Sequence, residues 1–463
     1  MKSREHILII GAGLCGSLLA LRLAQHDYKI TLIEKRADLR KADISAGRSI
    51  NLAFSDRGMK GIKLVGLEKS VQGLCIPMYG RMLHDQQGEM QLSKYSGREG
   101  EYINSISRSG LNALLLDAVE KHDNVEIHFN QSCTDVNLEK TSATFEDSEN
   151  QAQRSFNADY IFGTDGAGSV VRKEMQNQKN FLFSHSQNFL THGYKELSFP
   201  PSESGEYATE KGALHIWPRG ENMLIALPNL DKSFTVTLFL AYEGGKYNFN
   251  NLNNPEIVEE YFKSIYPDAY KLMPELKTEF FENPTAPLGT VKCSPWTFKN
   301  ALIMGDAAHA IVPFYGQGMN ASFEDVFEFD KILVENNFDV SKSFKVFSET
   351  RKPDADAIAD LALDNFHEMK SHTAQDIFLQ KRKIELALEK EFPKQYSSKY
   401  SLVTFEEQIS YKTAMDRGRG QDKAILGLLK NNKLHDKQSL KEQLELIRNV
   451  TQQILEGDVI LEH

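Results

Sequence analysis

Three glycines near the start of the chain have the spacing that a phosphate-binding turn requires. Gly11, Gly13 and Gly16 follow an apolar run rich in β-branched residues and precede a segment with helical spacing. The first glycine permits a tight turn, the second lets the backbone approach a pyrophosphate, and the third lets the helix pack against the strand. Glu34 lies 23 residues after Gly11, where a carboxylate can accept hydrogen bonds from ribose hydroxyls. The alternative is a chance glycine triplet in a loop.

Two later segments also end an apolar run with an acidic residue beside glycine. The run at 159–164 leads into Asp165-Gly166, although Asp-Gly is also a common turn pair and an ordinary strand end stays open. The run at 301–304 leads into Gly305-Asp306, where the carboxylate can hydrogen-bond a polyol hydroxyl. A glycine-rich turn then opens a predicted helix from Ala321, whose N-terminus favours negative charge.

These residues need a scaffold, and the pattern around them predicts one. His6–Ile10 and Lys29–Ile33 read as strands joined by a helix at 17–26, which predicts neighbouring parallel strands. A second helix is predicted at 111–122. Strands at 223–227 and 233–240, separated by a turn at 228–231, predict a separate, largely antiparallel sheet. From about residue 351 onward, the composition predicts helices.

Composition excludes several classes of protein. The 463 residues are 41% hydrophobic and 25% charged, as in ordinary globular proteins. Lys plus Arg total 54 and Asp plus Glu total 64, so the net charge of −10 disfavours nucleic-acid binding. The four cysteines are far apart and predict neither a metal site nor a disulfide framework; they are Cys15, Cys75, Cys133 and Cys293.

No membrane span is predicted. The longest apolar candidate, 301–314, falls short of the roughly 18 residues that a span needs, and Asp306 and His309 interrupt it. The start of the chain shows no signal-peptide pattern. We therefore expect a cytoplasmic protein, and a homodimer is one possible assembly.

Taken together in this order, the three segments resemble those of the group A FAD-dependent aromatic hydroxylases. Within that group, the chain is similar to the kynurenine 3-monooxygenase family in the segments 47–53, 80–82, 192–197, 214–218, 227–231 and 234–239. The resemblance implies an α/β fold with three predicted domains. These are a discontinuous Rossmann-like FAD-binding domain, a mainly antiparallel substrate-binding sheet domain and a C-terminal helical domain; their predicted limits are 1–78, 103–180 and 290–365 for the first, 79–102 and 181–289 for the second, and 366–463 for the third.

The resemblance also implies the cofactor contacts. FAD is expected as the cofactor and NADPH as the co-substrate. Arg108 matches the family arginine that pairs with the FAD diphosphate, Asp306 the group that holds the ribityl chain, and Arg48 a residue close to the moving flavin. The full set of implied cofactor-binding residues is Gly11, Gly13, Leu14, Gly16, Glu34, Arg36, Arg48, Arg108, Asp165, Gly166, Asp306, Gly318, Met319 and Asn320.

The implied substrate is L-kynurenine, an amino acid that carries an ortho-aminophenyl ketone. The residues that match the family's carboxylate-binding end are Arg81, Tyr95, Asn365 and Tyr400, and those expected to wall the aromatic ring are Leu227, Phe239, Pro313 and Phe314. From the residues alone, Leu227 and Phe239 can equally be core, and Tyr400 a surface residue. His309 is interpreted as a core histidine.

The implied reaction is hydroxylation of kynurenine to 3-hydroxykynurenine by dioxygen through a flavin C4a-hydroperoxide, with no catalytic side chain and no metal. Two other functions stay open at this stage. One is a monooxygenase, halogenase or reductase of the same fold that acts on another aromatic or polyprenyl substrate, although Trp217 and Trp296 do not form the halogenase Trp-x-Trp pattern. The other is a flavin-bearing interaction module without catalysis.

Overall fold

The computed structural model describes residues 5–41, 51–371 and 376–457. The chain forms two compact units, each assembled from three separate segments. The first unit consists of Met1–Cys75, Ser105–Leu190 and Ala286–Ala359, and the second of Ile76–Asn104, Thr191–Thr285 and Asp360–His463.

Strands and helices both occur in each unit. The strands are β1 His6–Ile10, β2 Lys29–Ile33, β3 Asn51–Phe54, β4 Cys75–Met78, β5 Gly80–His84, β6 Met90–Lys94, β7 Ile103–Ser107, β8 Val125–His128, β9 Gln131–Asn137, β10 Ser142–Asp147, β11 Gln153–Asn157, β12 Tyr160–Gly163, β13 Ser184–Phe199, β14 Leu214–Arg219, β15 Asn222–Pro228, β16 Phe234–Ala241, β17 Thr285–Ser294, β18 Thr297–Phe298 and β19 Ala301–Ile303. The helices are α1 Leu14–Gln25, α2 Asp56–Leu64, α3 Glu68–Gln72, α4 Arg108–Val119, α5 Val170–Gln176, α6 Pro255–Ile265, α7 Pro267–Tyr270, α8 Leu276–Glu282, α9 Asp306–His309, α10 Gly318–Glu335, α11 Val340–Ser371, α12 Asp376–Glu391, α13 Lys399–Thr404, α14 Tyr411–Lys430 and α15 Leu440–Glu456.

A parallel sheet forms the centre of the first unit. Its strand order is β18-β19-β12-β1-β2-β8, and only β18 runs antiparallel to its neighbour. Ile9 of β1 pairs with Phe162 of β12 on one side and with Leu32 of β2 on the other, and all three side chains are fully buried. A continuous apolar run is what a strand covered on both faces requires. The parallel arrangement predicted from the sequence is confirmed.

The first helix begins earlier than its apolar spacing predicts. It starts at Leu14, directly after the glycine turn, rather than at residue 17. Gly16 lies in its first turn, where a Cβ would come within 1.9 Å of the carbonyl oxygen of Gly11. The helix can therefore pack this closely against the turn only because position 16 lacks a side chain.

A mixed but mainly antiparallel sheet forms the second unit. From residue 191 of β13, the order is β13-β16-β15-β14-β5-β6, and β14 pairs with β5 in parallel. The two predicted strands appear as β15 and β16. The sequence reading did not assign helices α6 to α8. Phe262 of α6 and Phe280 of α8 belong to the same buried cluster as Leu224 and Leu238 of the sheet.

The C-terminal helices complete the second unit. The predicted helical character after residue 351 is confirmed, although α11 already begins at Val340. Leu388 of α12, Ile425 of α14 and Ile447 of α15 are fully buried in one apolar cluster, so these helices share a core of their own. Within the described residues, no helix combines the length and apolar character that crossing a membrane demands.

Candidate functional site

The glycine turn after β1 has a geometry that only glycine satisfies. Gly11 has φ +105°, and a Cβ there would lie 2.5 Å from the carbonyl oxygen of Thr164. The Gly11 amide donates to the carbonyl of Ile33 at 2.8 Å, and the Gly11 carbonyl accepts from the Thr164 hydroxyl at 2.8 Å. The end of β1 is therefore clamped between the ends of β2 and β12, and α1 begins from this fixed point.

The turn can receive a phosphate group. Among the described residues, no atom lies within 4 Å of a Cβ built on Gly13, and no side chain caps the N-terminus of α1, so the first amides of the helix can bind an anion. At the end of β2, the Glu34 carboxylate accepts from the amides of Ala12 at 3.0 Å and Arg36 at 3.1 Å. The structure thus brings together Gly11, Gly13, Gly16 and Glu34, with Leu14 in the first turn of the helix.

A second turn follows β19, and a buried ion-pair network around Asp325 fixes its backbone. Gly305 has φ +62° and caps α9, whose first residue is the exposed Asp306. The Gly305 amide donates to Oδ2 of Asp325 at 3.0 Å, and Nε2 of His309 lies 2.5 Å from the same oxygen. Nε of Arg351 donates to Oδ1 of Asp325 at 2.8 Å. His309 is buried, as the sequence interpretation of a core histidine expects.

The N-terminus of α10 is the third element of this unit. Gly318 and Met319 are its first residues, and no side chain of the described residues caps it. The buried Asn320 side chain ties this end to the segment after β3, because it accepts from the Ser55 amide at 3.0 Å and donates to the Ala53 carbonyl at 2.9 Å. The amides at this helix end can therefore hold negative charge without the Asn320 side chain.

Asp165 has a local role in the structure. Its carboxylate accepts from the Ser169 hydroxyl and from the Val170 amide, each at 2.6 Å, and so it caps α5. Burial raises the pKa of Asp165, and those hydrogen bonds oppose that rise. Gly166 follows with φ +82°.

The two described arginines in the cofactor set are exposed. Arg108 is the first residue of α4, after the capping Ser107. The Arg36 side chain is 75% exposed and lies 3.4 Å from Glu34. Arg48 lies outside the described residues.

In the second unit, one arginine lies against two tyrosine rings. Arg81 is on β5, Tyr95 follows β6, and Tyr400 is the second residue of α13. The guanidinium carbon of Arg81 lies 5.7 Å from the Tyr95 ring centroid and 4.7 Å from that of Tyr400. Tyr95 is buried, and its hydroxyl has no hydrogen-bond partner among the described residues. A cation beside an unsatisfied buried hydroxyl is an arrangement that suits a carboxylate ligand.

The other predicted substrate residues are spread over both units. Asn365 on α11, Leu227 on β15 and Phe239 on β16 are buried in the second unit. Pro313 and Phe314 form a 3₁₀ turn in the first unit, where Phe314 is buried and Pro313 is exposed. The ring-binding role of these residues stays a prediction.

Sequence reasoning missed the charged groups that hold these turns. Asp325 and Arg351 lie beneath the Gly305 turn, and Arg382 and Glu389 of α12 contact the backbone beside Tyr95. Their only signal in the sequence is an acidic or basic residue among the apolar residues of a predicted helix. That signal does not distinguish them from solvent-exposed charges.

Comparison with known proteins agrees with this architecture. A family model described as FAD binding domain matches residues 4–361. The kynurenine 3-monooxygenase of Myxococcus xanthus is 41% identical over 96% of this chain and 95% of its own length. That of Dictyostelium discoideum is 42% identical over 92% of this chain and 93% of its own.

Similarity to a solved structure supports the fold. P. aeruginosa PqsL in complex with 2-aminobenzoylacetate superposes with a TM-score of 0.63 at 15% identity, over 80% of this chain and 97% of PqsL. FAD is the cofactor. The chain therefore belongs to the FAD binding domain family and, within it, to the kynurenine 3-monooxygenase family.

Proposed function

We propose that this protein hydroxylates L-kynurenine to 3-hydroxy-L-kynurenine with FAD as cofactor and NADPH and dioxygen as co-substrates. The observation that carries the proposal is the cluster in which Arg81 lies against Tyr95 and Tyr400. The names of the relatives and their sequence identity support the reaction. The cluster supports binding of the amino-acid carboxylate, which distinguishes kynurenine from simple phenols.

Each group of this cluster has a task in binding. Arg81 supplies the positive charge, and its guanidinium can donate two parallel hydrogen bonds to one carboxylate. Burial raises the pKa of Tyr95 well above its ordinary value, so its hydroxyl stays protonated and can donate to an anion. The ring of the half-buried Tyr400 lies parallel to that of Tyr95 and makes a second cation–π contact with Arg81.

The proposed cofactor site lies in the first unit. We assign the adenosine diphosphate part of FAD to the Gly11–Gly16 turn and Glu34, and the ribityl and ring part to Asp306 and the first turn of α10. When bound, FAD would supply the redox chemistry by which electrons from NADPH activate dioxygen, the source of the added oxygen atom. The protein residues bind, orient and exclude water, and the amino group of the substrate itself activates the ring carbon beside it. A cytoplasmic location and a homodimer remain predictions.

The purified holoenzyme provides the test. NADPH oxidation, followed at 0.1 M salt with and without L-kynurenine, should be stimulated by the substrate and should yield 3-hydroxykynurenine in stoichiometric amount. NADPH oxidation that L-kynurenine does not change would refute the proposal, and a colourless protein that takes up no FAD on reconstitution would refute the cofactor assignment.

Two variants locate the substrate site. Arg81→Ala should raise the KM for kynurenine by about a hundredfold, as expected for the loss of a charge-assisted pair of hydrogen bonds, while the FAD content is unchanged. Arg417→Ala is the matched control, because Arg417 is an exposed arginine of α14 in the same unit. Loss of FAD in Arg81→Ala would show that the substrate site has been assigned to the wrong place.

A further inference from the structure

Helix α12 carries a buried carboxylate that joins three segments of the second unit. Glu389 is completely buried. Its Oε2 accepts from the Gly97 amide at 2.9 Å, and its Oε1 accepts from the Ser398 amide at 2.9 Å and from the Ser401 hydroxyl. Burial raises the pKa of Glu389, but these hydrogen bonds outweigh that effect and hold it below its ordinary value. Glu389 is therefore an ionised group with every contact directed at backbone or hydroxyl donors.

A second charged residue of α12 contacts the same loop. Arg382 lies seven residues before Glu389, two helical turns away, and therefore on the same face. Its NH2 group donates to the carbonyls of Lys94 at 2.7 Å and Tyr95 at 2.8 Å. Between them, the guanidinium of Arg382 and the carboxylate of Glu389 bind the carbonyl of Tyr95 and the amide of Gly97.

The helix and this loop are in direct backbone contact. A Cβ built on Gly97 would lie 2.1 Å from the Leu386 carbonyl oxygen and 2.9 Å from the Lys390 amide nitrogen. No side chain separates the two segments, so a shift of α12 is transmitted to the loop. The position of Tyr95 is thus fixed by α12 as well as by β6, the strand that it follows.

The same carboxylate also fixes the segment that carries Tyr400. Ser398 is the N-cap of α13, its hydroxyl accepts from the Ser401 amide, and Tyr400 lies between these two residues. Glu389 binds the Ser398 amide and the Ser401 hydroxyl. One side chain therefore holds both backbone segments whose tyrosine rings contact Arg81.

We infer that Glu389 and Arg382 are positioning residues that hold the stacked rings of Tyr95 and Tyr400 against Arg81, and that they thereby determine selectivity for a substrate bearing a carboxylate. This inference rests on the proposed function, because it takes the Arg81 cluster to be the site of the kynurenine carboxylate. It gives the C-terminal helices a task in substrate recognition. Neither residue contacts the substrate in this assignment; both act through the tyrosines.

Selectivity can be measured without turnover. Titration calorimetry on the oxidised holoenzyme compares L-kynurenine with kynuramine, the amine that lacks only the carboxylate. The ratio of the two dissociation constants isolates recognition of the carboxylate, since the aromatic ketone is common to both. The wild type should prefer kynurenine, and Arg81→Ala should remove most of that preference.

Glu389→Gln tests the positioning role. An amide keeps the shape but places an NH₂ group against a backbone N–H, so one of the two segments is released. The kynurenine preference should fall about tenfold, the change that loss of one well-placed hydrogen bond produces, while kynuramine binding and FAD content are unchanged. Glu391→Gln makes the same charge change at an exposed position of the same helix and should keep the wild-type ratio.

Arg382→Met provides the second variant should Glu389→Gln fail to fold, because Arg382 is partly exposed and methionine retains its aliphatic stem. It should lower the preference in the same direction. A wild-type ratio in the folded variants, or an equal loss of affinity for both ligands, would overturn the positioning role and leave the proposed function intact. If the wild type shows no preference, or Arg81→Ala does not change it, the assignment of the kynurenine carboxylate to the Arg81 cluster has failed and the inference falls with it.

Discussion

The rings of Tyr95 and Tyr400 stack 5.4 Å apart with their planes within 11° of parallel. The Arg81 guanidinium lies against both rings, and contacts of this kind contribute about 0.5–2 kcal/mol each, depending on how far they are desolvated. The pair therefore fixes the direction of the cation before a ligand arrives. The hydroxyl of Tyr95 is the unsatisfied polar group of this arrangement, because it is buried and has no hydrogen-bond partner among the described residues.

Tyr95→Phe should change stability and binding in opposite directions. A buried hydroxyl without a partner costs about 1–3 kcal/mol, so its removal should leave the free energy of unfolding unchanged or higher. The same change should raise the KM for kynurenine about tenfold, since the substrate carboxylate loses a donor. Urea unfolding and steady-state kinetics give the two values.

The matched control for this change is Tyr396→Phe. Tyr396 is also buried, and its hydroxyl also lacks a partner in the described part of the chain. It should gain or keep stability in the same way but retain the wild-type KM. An unaltered KM in Tyr95→Phe would remove Tyr95 from the carboxylate site.

Local patterns in the sequence were sufficient for the elements that carry the cofactor turn. The strands β1 and β2 were predicted with their observed limits. The first was read from its apolar run and the second from its alternation of polar and apolar residues. The start of α1 was predicted three residues late. Leu14, Cys15 and Gly16 are too short a run to show helical spacing of their own, and the helix begins at Leu14 because the turn fixes the backbone.

Gly13 and Gly16 should respond differently to a Cβ. In the described part of the chain, no atom lies within 4 Å of a Cβ at Gly13, so Gly13→Val should fold and lose FAD because the side chain occupies the pyrophosphate position. A Cβ at Gly16 would lie 1.9 Å from the Gly11 carbonyl oxygen, so Gly16→Ala should lower the melting temperature or prevent folding. Circular dichroism reports whether each variant folds, and visible absorbance reports whether it holds flavin. A yellow, stable Gly13→Val protein would contradict this cofactor assignment.

Charged clusters could not be predicted, because their partners are far apart in sequence. Asp325 bonds Gly305, 20 residues away, and Glu389 bonds Gly97, 292 residues away. Only the packing of helices on turns brings such groups together. For the same reason, the sequence predicted Arg81, Tyr95 and Tyr400 through a family resemblance and not through their spacing.

Asp325→Asn should weaken FAD binding as well as the fold. The carboxylate holds the Gly305 amide, which precedes Asp306, and it faces Arg351 and His309. Removing one member of a buried ion pair costs about 3–5 kcal/mol of stability, and releasing the turn should raise the dissociation constant of FAD about tenfold. Fluorescence of free flavin measures the latter.

Asp330→Asn is the control for this prediction. Asp330 lies on the same helix and pairs with Arg22 and His26, away from the Gly305 turn. It should lower stability but leave FAD affinity unchanged. Equal FAD affinities in the two variants would show that Asp325 stabilises the fold only.

The buried His215 predicts a loss of stability in mild acid. His215 is fully buried on β14, and its Nε2 lies 2.7 Å from the Glu210 carbonyl oxygen. Its Nδ1 lies 2.8 Å from Nε2 of His84. Nδ1 of His84 lies 3.1 Å from the Asp268 carboxylate. Burial lowers the pKa of His215 from 6.5 to about 4, and the neighbouring His84 adds to that effect, while the Glu210 carbonyl opposes it. Because the unfolded chain binds a proton at higher pH than the folded one, stability should be complete above about pH 6.5 and should fall by about 3 kcal/mol as the pH drops to about 4. Asp268, whose pKa is about 2 although burial alone raises it, loses its contribution only below about pH 4 and so does not obscure this range. Urea unfolding at pH 7 and pH 5 measures this effect. Between the two pH values, the free energy of unfolding should fall less for His215→Gln than for the wild type. His435→Gln changes an exposed histidine and should lose as much stability as the wild type. Parallel declines in all three proteins would exclude His215 as the group responsible.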